Sequence, residues 1–165
     1  MFEKFDKFAN KISQAALMVI TVLGLAMLFL TIASVIYRYV LHSSLTWGEE
    51  VLKISLVWFG LLSVGVIAYR REHVGITIFK EHMPKKVQRI FEFVSQILLL
   101  VASVAMFLIG CALVARSGSQ LTPALRIPYA YGYAAIPVSF ALMIIYEIRN
   151  TMYEIDRLKK KGSEE

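Results

Sequence analysis

The 165 residues hold a single cysteine, Cys111, and three histidines. One cysteine leaves no disulfide framework and no Cys-x-x-Cys pair for zinc or redox work. The histidines, His42, His73 and His82, all fall outside the long apolar runs. A membrane haem protein places histidines inside its helices as axial ligands, so a four-helix cytochrome is a poor fit. Charge is also missing where it would matter most. Ile12–Tyr37, Ile54–Tyr69, Phe93–Ala115 and Ile127–Tyr146 contain no Asp, Glu, Lys or Arg. A carrier that works alone keeps an ionisable residue near the bilayer midplane or builds an ion site from paired broken helices. Here the nearest charges, Arg38, Glu49, Glu50, Lys53, Glu92 and Glu147, all lie toward the ends of the runs. There is no catalytic triad, no metal cluster and no phosphate-binding loop, so nothing points to an enzyme. Catalytic, cofactor and metal residues are all predicted to be none.

What is present is apolar length. Hydrophobic residues make up 58% of the chain, and mean hydropathy is +0.62. The runs are 26, 16, 23 and 20 residues long in chain order. A soluble bundle would carry a polar stripe on each helix, and these runs carry almost none. The reading is an all-α membrane protein with four transmembrane helices. The second run alone covers about 24 Å, short of a hydrocarbon core of roughly 30 Å. Counted from Trp47, with Lys53 snorkelling outward, it reaches about 35 Å. The first run exceeds the apolar stretch of a signal peptide and is expected to be retained.

The expected organisation is one four-helix membrane domain. An interfacial N-terminal helix covers 1–11, the spans cover 12–39, 46–69, 85–115 and 127–148, an arm covers 70–84, an outer loop covers 116–126, and a tail covers 149–165. Phe2, Phe5, Phe8 and Ile12 recur at helical spacing among Lys4, Lys7 and Lys11, as in a helix lying in the interface. In the arm, Val74, Ile78, Phe79 and Met83 suggest one apolar helical face, although Val74, Ile76 and Ile78 also alternate and Gly75 weakens a helix. Of the 18 basic residues, fourteen fall in 1–11, between the second and third uncharged runs (70–92), and in the tail. Arg38, Lys53, Arg116 and Arg126 fall on the other side. The positive-inside rule therefore places both termini in the cytoplasm. The basic residues flank spans and form no separate domain, which argues against nucleic acid as a partner; the lipid bilayer is the expected surrounding.

The stretch from Thr46 to Arg71 organises the rest. Thr46 and Glu49 have the spacing of a capping box, and Glu49 and Glu50 suit the positive end of a helix dipole. Lys53 is positioned to pair with either glutamate. Arg38 closes the first span, either snorkelling or pairing with Glu49 or Glu50 across the turn 40–45. Trp47 and the tyrosines 129, 131 and 133 form an aromatic belt at the outer interface. Pro128 suits a first helical turn, and Pro137, inside the fourth span, should kink it. Ser95, Gln96 and Ser103 are expected at helix contacts, and Cys111 with Ala115 as a small-residue packing pair.

Arg38-Tyr39, Trp47-Gly48-Glu49-Glu50, Trp58-Phe59-Gly60, His73-Val74-Gly75-Ile76, Thr122-Pro123-Ala124-Leu125, Ile127-Pro128, Tyr131 and Pro137 occur in an order that resembles one family. It is the small membrane subunit, the DctQ type, of tripartite ATP-independent periplasmic (TRAP) transporters. The resemblance covers roughly residues 12–148, and Arg126 departs from it by standing where a small or uncharged residue is expected. It implies a small subunit in the bacterial inner membrane that braces a large multispan subunit (M type). The large subunit would move the solute and supply sodium coupling, so no cofactor is expected in this chain. A soluble periplasmic solute-binding protein (P type) would deliver a small organic acid of the sialic acid or C4-dicarboxylate kind. The interface or structural candidates are Arg38, Trp47, Glu49, Glu50, Lys53, Thr122, Pro123, Pro128 and Tyr131. One alternative is the membrane anchor of another complex such as an electron-transfer enzyme, which lacks its intramembrane histidines. The other, a small homodimeric exporter, lacks an embedded acid in the first span.

Overall fold

A computed structural model describes residues 2–70 and 85–161. The arm expected at 70–84 thus falls, but for its first residue, outside the described residues. Helices α1 (Phe2–Tyr39), α2 (Thr46–Arg70), α3 (Lys85–Ser117), α4 (Ala130–Tyr133) and α5 (Ala135–Lys161) account for almost all of the described chain. No strand occurs among the described residues, only an isolated bridge between Leu121 and Pro128. Four stretches are long and apolar enough to cross a membrane: Asp6–Tyr39, Thr46–Tyr69, Val94–Ser117 and Ala130–Met152. Hydrocarbon offers no partner to a backbone amide, so a spanning segment of this kind closes its hydrogen bonds within one helix. Hydroxyls follow the same rule: Thr21, Thr31, Ser63 and Ser103 each donate to the carbonyl four residues earlier.

Helix α1 runs unbroken through residues 2–11 and the first span, a rod of about 57 Å. Helix α5 likewise continues through most of the expected tail. The break near the fourth span's start has a simple cause. Pro137 has no N–H to donate to Tyr133, so the ladder is interrupted there. The chain passes through Ala134, still right-handed at φ −59, between α4 and α5.

The spans pack side by side in the order α1, α2, α5, α3, with a lighter contact of α1 on α5. The inner pair supplies most of the core: Leu62, Val66 and Ala68 of α2 against Ala135, Met143 and Tyr146 of α5. Helix α1 sits at one edge, where Met18, Val22, Leu25 and Phe29 face outward. Helix α3 forms the other edge, with Leu98, Val101 and Leu108 outward. Cys111 also faces out, as does Ala115, so that pair is no packing contact within the chain. The close approach is made one residue earlier, where Gly110 is buried against Ile136 and Pro137.

Candidate functional site

All four spans end in one of two layers of polar contacts. The first lies at the end that carries the α1–α2 turn and the α3–α4 loop. Helix α1 ends as Val40 N–H donates to Ile36 O at 2.8 Å and Ser43 N–H to Tyr37 O at 3.1 Å. His42 then takes a left-handed conformation, φ 49, and the chain reverses. Helix α2 starts at once, Gly48 and Glu49 N–H both donating to Leu45 O at 3.0 and 3.2 Å. Gly48 is close-packed at this start: a Cβ there would stand 2.8 Å from Leu45 Cδ2, the end of a flexible side chain that would have to shift.

The two adjacent glutamates have different tasks. Glu49 Oε1 accepts from Arg38 Nη2 at 2.6 Å, an ion pair with 59% and 44% of the two side chains exposed. Of the two sequence readings of Arg38, the pair across the turn is the one found. Glu50 reaches the other loop: Oε1 accepts from Ala124 N–H at 2.7 Å and Oε2 from Leu125 N–H at 2.9 Å. One carboxylate thereby satisfies two adjacent backbone donors more than 70 residues away. Charge-assisted bonds of this sort are shorter and stronger than neutral ones.

The loop it holds is a small hairpin. Tyr129 N–H donates to Gln120 O at 2.9 Å, Thr122 N–H to Ile127 O at 2.9 Å, and Arg126 N–H to Thr122 O at 3.1 Å. Buried Thr122 closes the tip, its Oγ1 accepting from Ile127 N–H at 3.3 Å. Arg126 is left-handed, φ 52, and exposed. That conformation is ordinary for glycine and costs another residue about 1 kcal/mol. Glycine, one of the small or uncharged residues the resemblance leads one to expect here, would hold this conformation without strain. Arg126→Gly removes the strain while adding unfolded-chain freedom, so thermal unfolding in detergent is expected to move by no more than about 1 kcal/mol in either direction.

The remaining candidates collect at the same end. Thr46, Glu49, Glu50, Lys53, Pro123 and Ala124 line an open cleft of about 400 Å³. Pro128 pairs with Leu121 and its carbonyl accepts from Tyr131 N–H at 3.2 Å. Tyr131 is 64% exposed, and its own carbonyl accepts from Trp58 Nε1–H at 3.0 Å, tying α4 to α2. Trp47 is also exposed. Tyr129 and Tyr133 stack with centroids 6.3 Å apart.

The second layer, at the end that carries both termini, is one that sequence reasoning missed. Arg149 Nε donates to Asp6 Oδ1 at 2.6 Å. Its guanidinium lies 4.5 Å over the Tyr69 ring, and Tyr69 meets the fully buried Tyr146 edge-on at 5.2 Å. Asn150 Nδ2 donates to Ala68 O at 3.1 Å. Gln96, expected at a helix contact, makes one by donating to Thr151 Oγ1 at 2.9 Å. In the sequence Arg149 is only one of the basic residues of the tail. The available signal is a tyrosine at the same end of two spans and two acids, Glu3 and Asp6, among the three lysines of residues 1–11. Arg149→Lys keeps a charge for Asp6 but loses the planar stack on Tyr69, and is expected to cost about 0.5–1 kcal/mol in thermal unfolding. Arg149→Ala is expected to cost about 1–2 kcal/mol.

Comparison with known proteins matches this chain to one family. The family model described as the DctQ component of tripartite ATP-independent periplasmic transporters matches residues 27–157. That stretch contains Arg38, both glutamates, the 120–129 hairpin and Arg149. The chain is 29% identical over 129 residues to the isethionate TRAP transporter permease protein DctMQ of Oleidesulfovibrio alaskensis, covering 73% of this chain and 20% of that protein. It is 29% identical over 122 residues to the sialic acid TRAP transporter permease protein SiaT of Haemophilus influenzae, covering 74% and 20%. The chain thus spans about one fifth of the length of either relative.

Proposed function

The chain belongs to the DctQ family of TRAP transporter components, and from that premise we propose that it is the small membrane subunit that braces a large multispan transport subunit and widens the platform on which a soluble solute-binding protein docks. In this reading it lies in the bacterial inner membrane with both termini in the cytoplasm, as the basic residues favour. The loop end then faces the periplasm. Solute movement and sodium coupling belong to the large subunit, and this chain needs no cofactor. The solute is a small organic acid, in keeping with relatives named for isethionate and for sialic acid. Each relative is about five times as long as the matched stretch, which leaves room for a multispan unit beside it.

The observation that carries the reading is the rim at the loop end. Glu50 fastens the 120–129 hairpin to α2, and Arg38–Glu49 fastens α1 to α2. A surface held stiff by its own bonds suits docking better than two loose loops, because less ordering is lost on binding. The test is affinity purification of the chain from its native host in mild detergent, with mass measurement of what co-purifies. A stoichiometric, larger multispan protein is the expected result. A monomer or homodimer with its own transport activity or a bound cofactor overturns the reading.

A further inference from the structure

We propose that Arg126, together with Arg116, is a cationic contact for an acidic surface on the soluble protein that docks at the loop end. The proposal rests on the reading of the chain as the small subunit of a three-part transporter. It starts from an unusual backbone: an exposed arginine held left-handed at φ 52, where glycine is the unstrained choice. Strain of this kind persists where the surrounding structure fixes it, and such positions gather at binding and switching sites. Here the surroundings do fix it. Thr122 O accepts from Arg126 N–H, Thr122 bonds the next residue, Ile127, through both its own N–H and its Oγ1, and Glu50 holds the two residues before Arg126.

Charge supplies the second observation. Four cations and two carboxylates occupy this end of the molecule: Arg38, Lys53, Arg116 and Arg126 against Glu49 and Glu50. Glu49 is taken by Arg38, and Glu50 by the hairpin backbone, with Lys53 lining the same cleft. Arg116 and Arg126 are both exposed, and among the described residues neither has a carboxylate within ion-pair distance. A guanidinium fork pairs well with a carboxylate, and an unpaired one on a rigid base needs little ordering to do so. A soluble protein suits this occupant better than a lipid headgroup. Arg126 stands, exposed, at the tip of a hairpin between the end of α3 at Ser117 and Tyr129, and in the proposed reading this loop end faces the periplasm, where the soluble protein meets it.

The test uses the intact membrane complex in nanodiscs and the soluble solute-binding protein of the same host, with the apparent Kd measured at low and high salt. Arg126→Gly is the first variant, since it relaxes the backbone and keeps the hairpin; Arg126→Lys, Arg126→Glu and Arg116→Gln follow. Arg126→Gly is expected to raise Kd roughly two- to fivefold at low salt, the scale of one exposed ion pair, and to flatten the salt dependence. Arg126→Lys should recover part of the loss, and Arg126→Glu should exceed it through like-charge contact. Equal Kd and equal salt dependence for Arg126→Gly, Arg126→Glu and the unmodified complex overturn the proposal. So does a wild-type complex that contains the large subunit yet does not bind the soluble protein, although the brace reading then stands. Failure of the large subunit to co-purify sinks the brace reading itself.

Discussion

Gly110→Leu is expected to destabilise the packing of the spans strongly. A Cβ at Gly110 would stand 2.8 Å from Ile136 Cγ2, 2.9 Å from Pro137 Cδ and 3.0 Å from Pro137 N. The first of these atoms belongs to a stiff branched side chain, and the other two belong to a ring and its backbone. None swings away, so α3 and α5 must part. Overpacking of this kind costs about 1–3 kcal/mol, and a leucine falls at the upper end. Gly110→Ala already demands a shift and is expected near the lower end. Gly60 is the control: a Cβ there meets nothing within 4 Å. Gly60→Ala should therefore be neutral, or stabilising by up to about 1 kcal/mol through helix propensity. Thermal unfolding in mild detergent reads all three variants. A Gly110→Leu protein that melts with the wild type would show that the α3–α5 contact at Pro137 is not closely packed.

This contact also shows where the sequence stops being informative. The four long apolar helices are visible in the sequence, because long runs without charge have one physical solution in a bilayer. Which way each helix faces is not. An apolar face is recognised by contrast with a polar one, and a helix that is apolar all round offers none. Choosing Cys111 instead of Gly110 is an error of one residue, but one residue turns a helix by about 100°. The extra length of α1 and α5 beyond the spans was equally hard to read, since Asp6 and Arg149 find each other only after the chain has crossed the bilayer four times. The loop end was more legible. Arg38, Glu49 and Glu50 stood out because charges beside a membrane need partners, and Thr122–Leu125 stood out through a resemblance. That Glu50 binds the backbone of that same loop joins the two clues, and no local rule connects positions so far apart.

Replacing Glu50 and Glu49 is expected to give very unequal results, although both are acidic and adjacent. Glu49→Gln weakens one exposed ion pair with Arg38, and such pairs contribute about 0.2–1 kcal/mol. Stability and docking should change little. Glu50→Gln keeps the size of the side chain but replaces one oxygen with an NH₂ group. That group faces a backbone N–H of Ala124 or Leu125, donor against donor, so one of two bonds is lost and the other loses its charge. Glu50→Ala removes both. The hairpin survives on its own bonds through Thr122, but its tie to α2 does not, and Arg126 is then carried on a loose loop. Hydrogen exchange at the Ala124 and Leu125 amides should quicken by about an order of magnitude in Glu50→Gln, the scale set by losing a bond to a charged acceptor. Exchange at Thr122, bonded to Ile127 O within the hairpin, should change far less. Docking of the soluble protein should weaken in parallel with exchange at Ala124 and Leu125, and more than in Glu49→Gln. If the two glutamine variants exchange and dock alike, Glu50 is an interfacial charge and the rigid rim is held by other contacts.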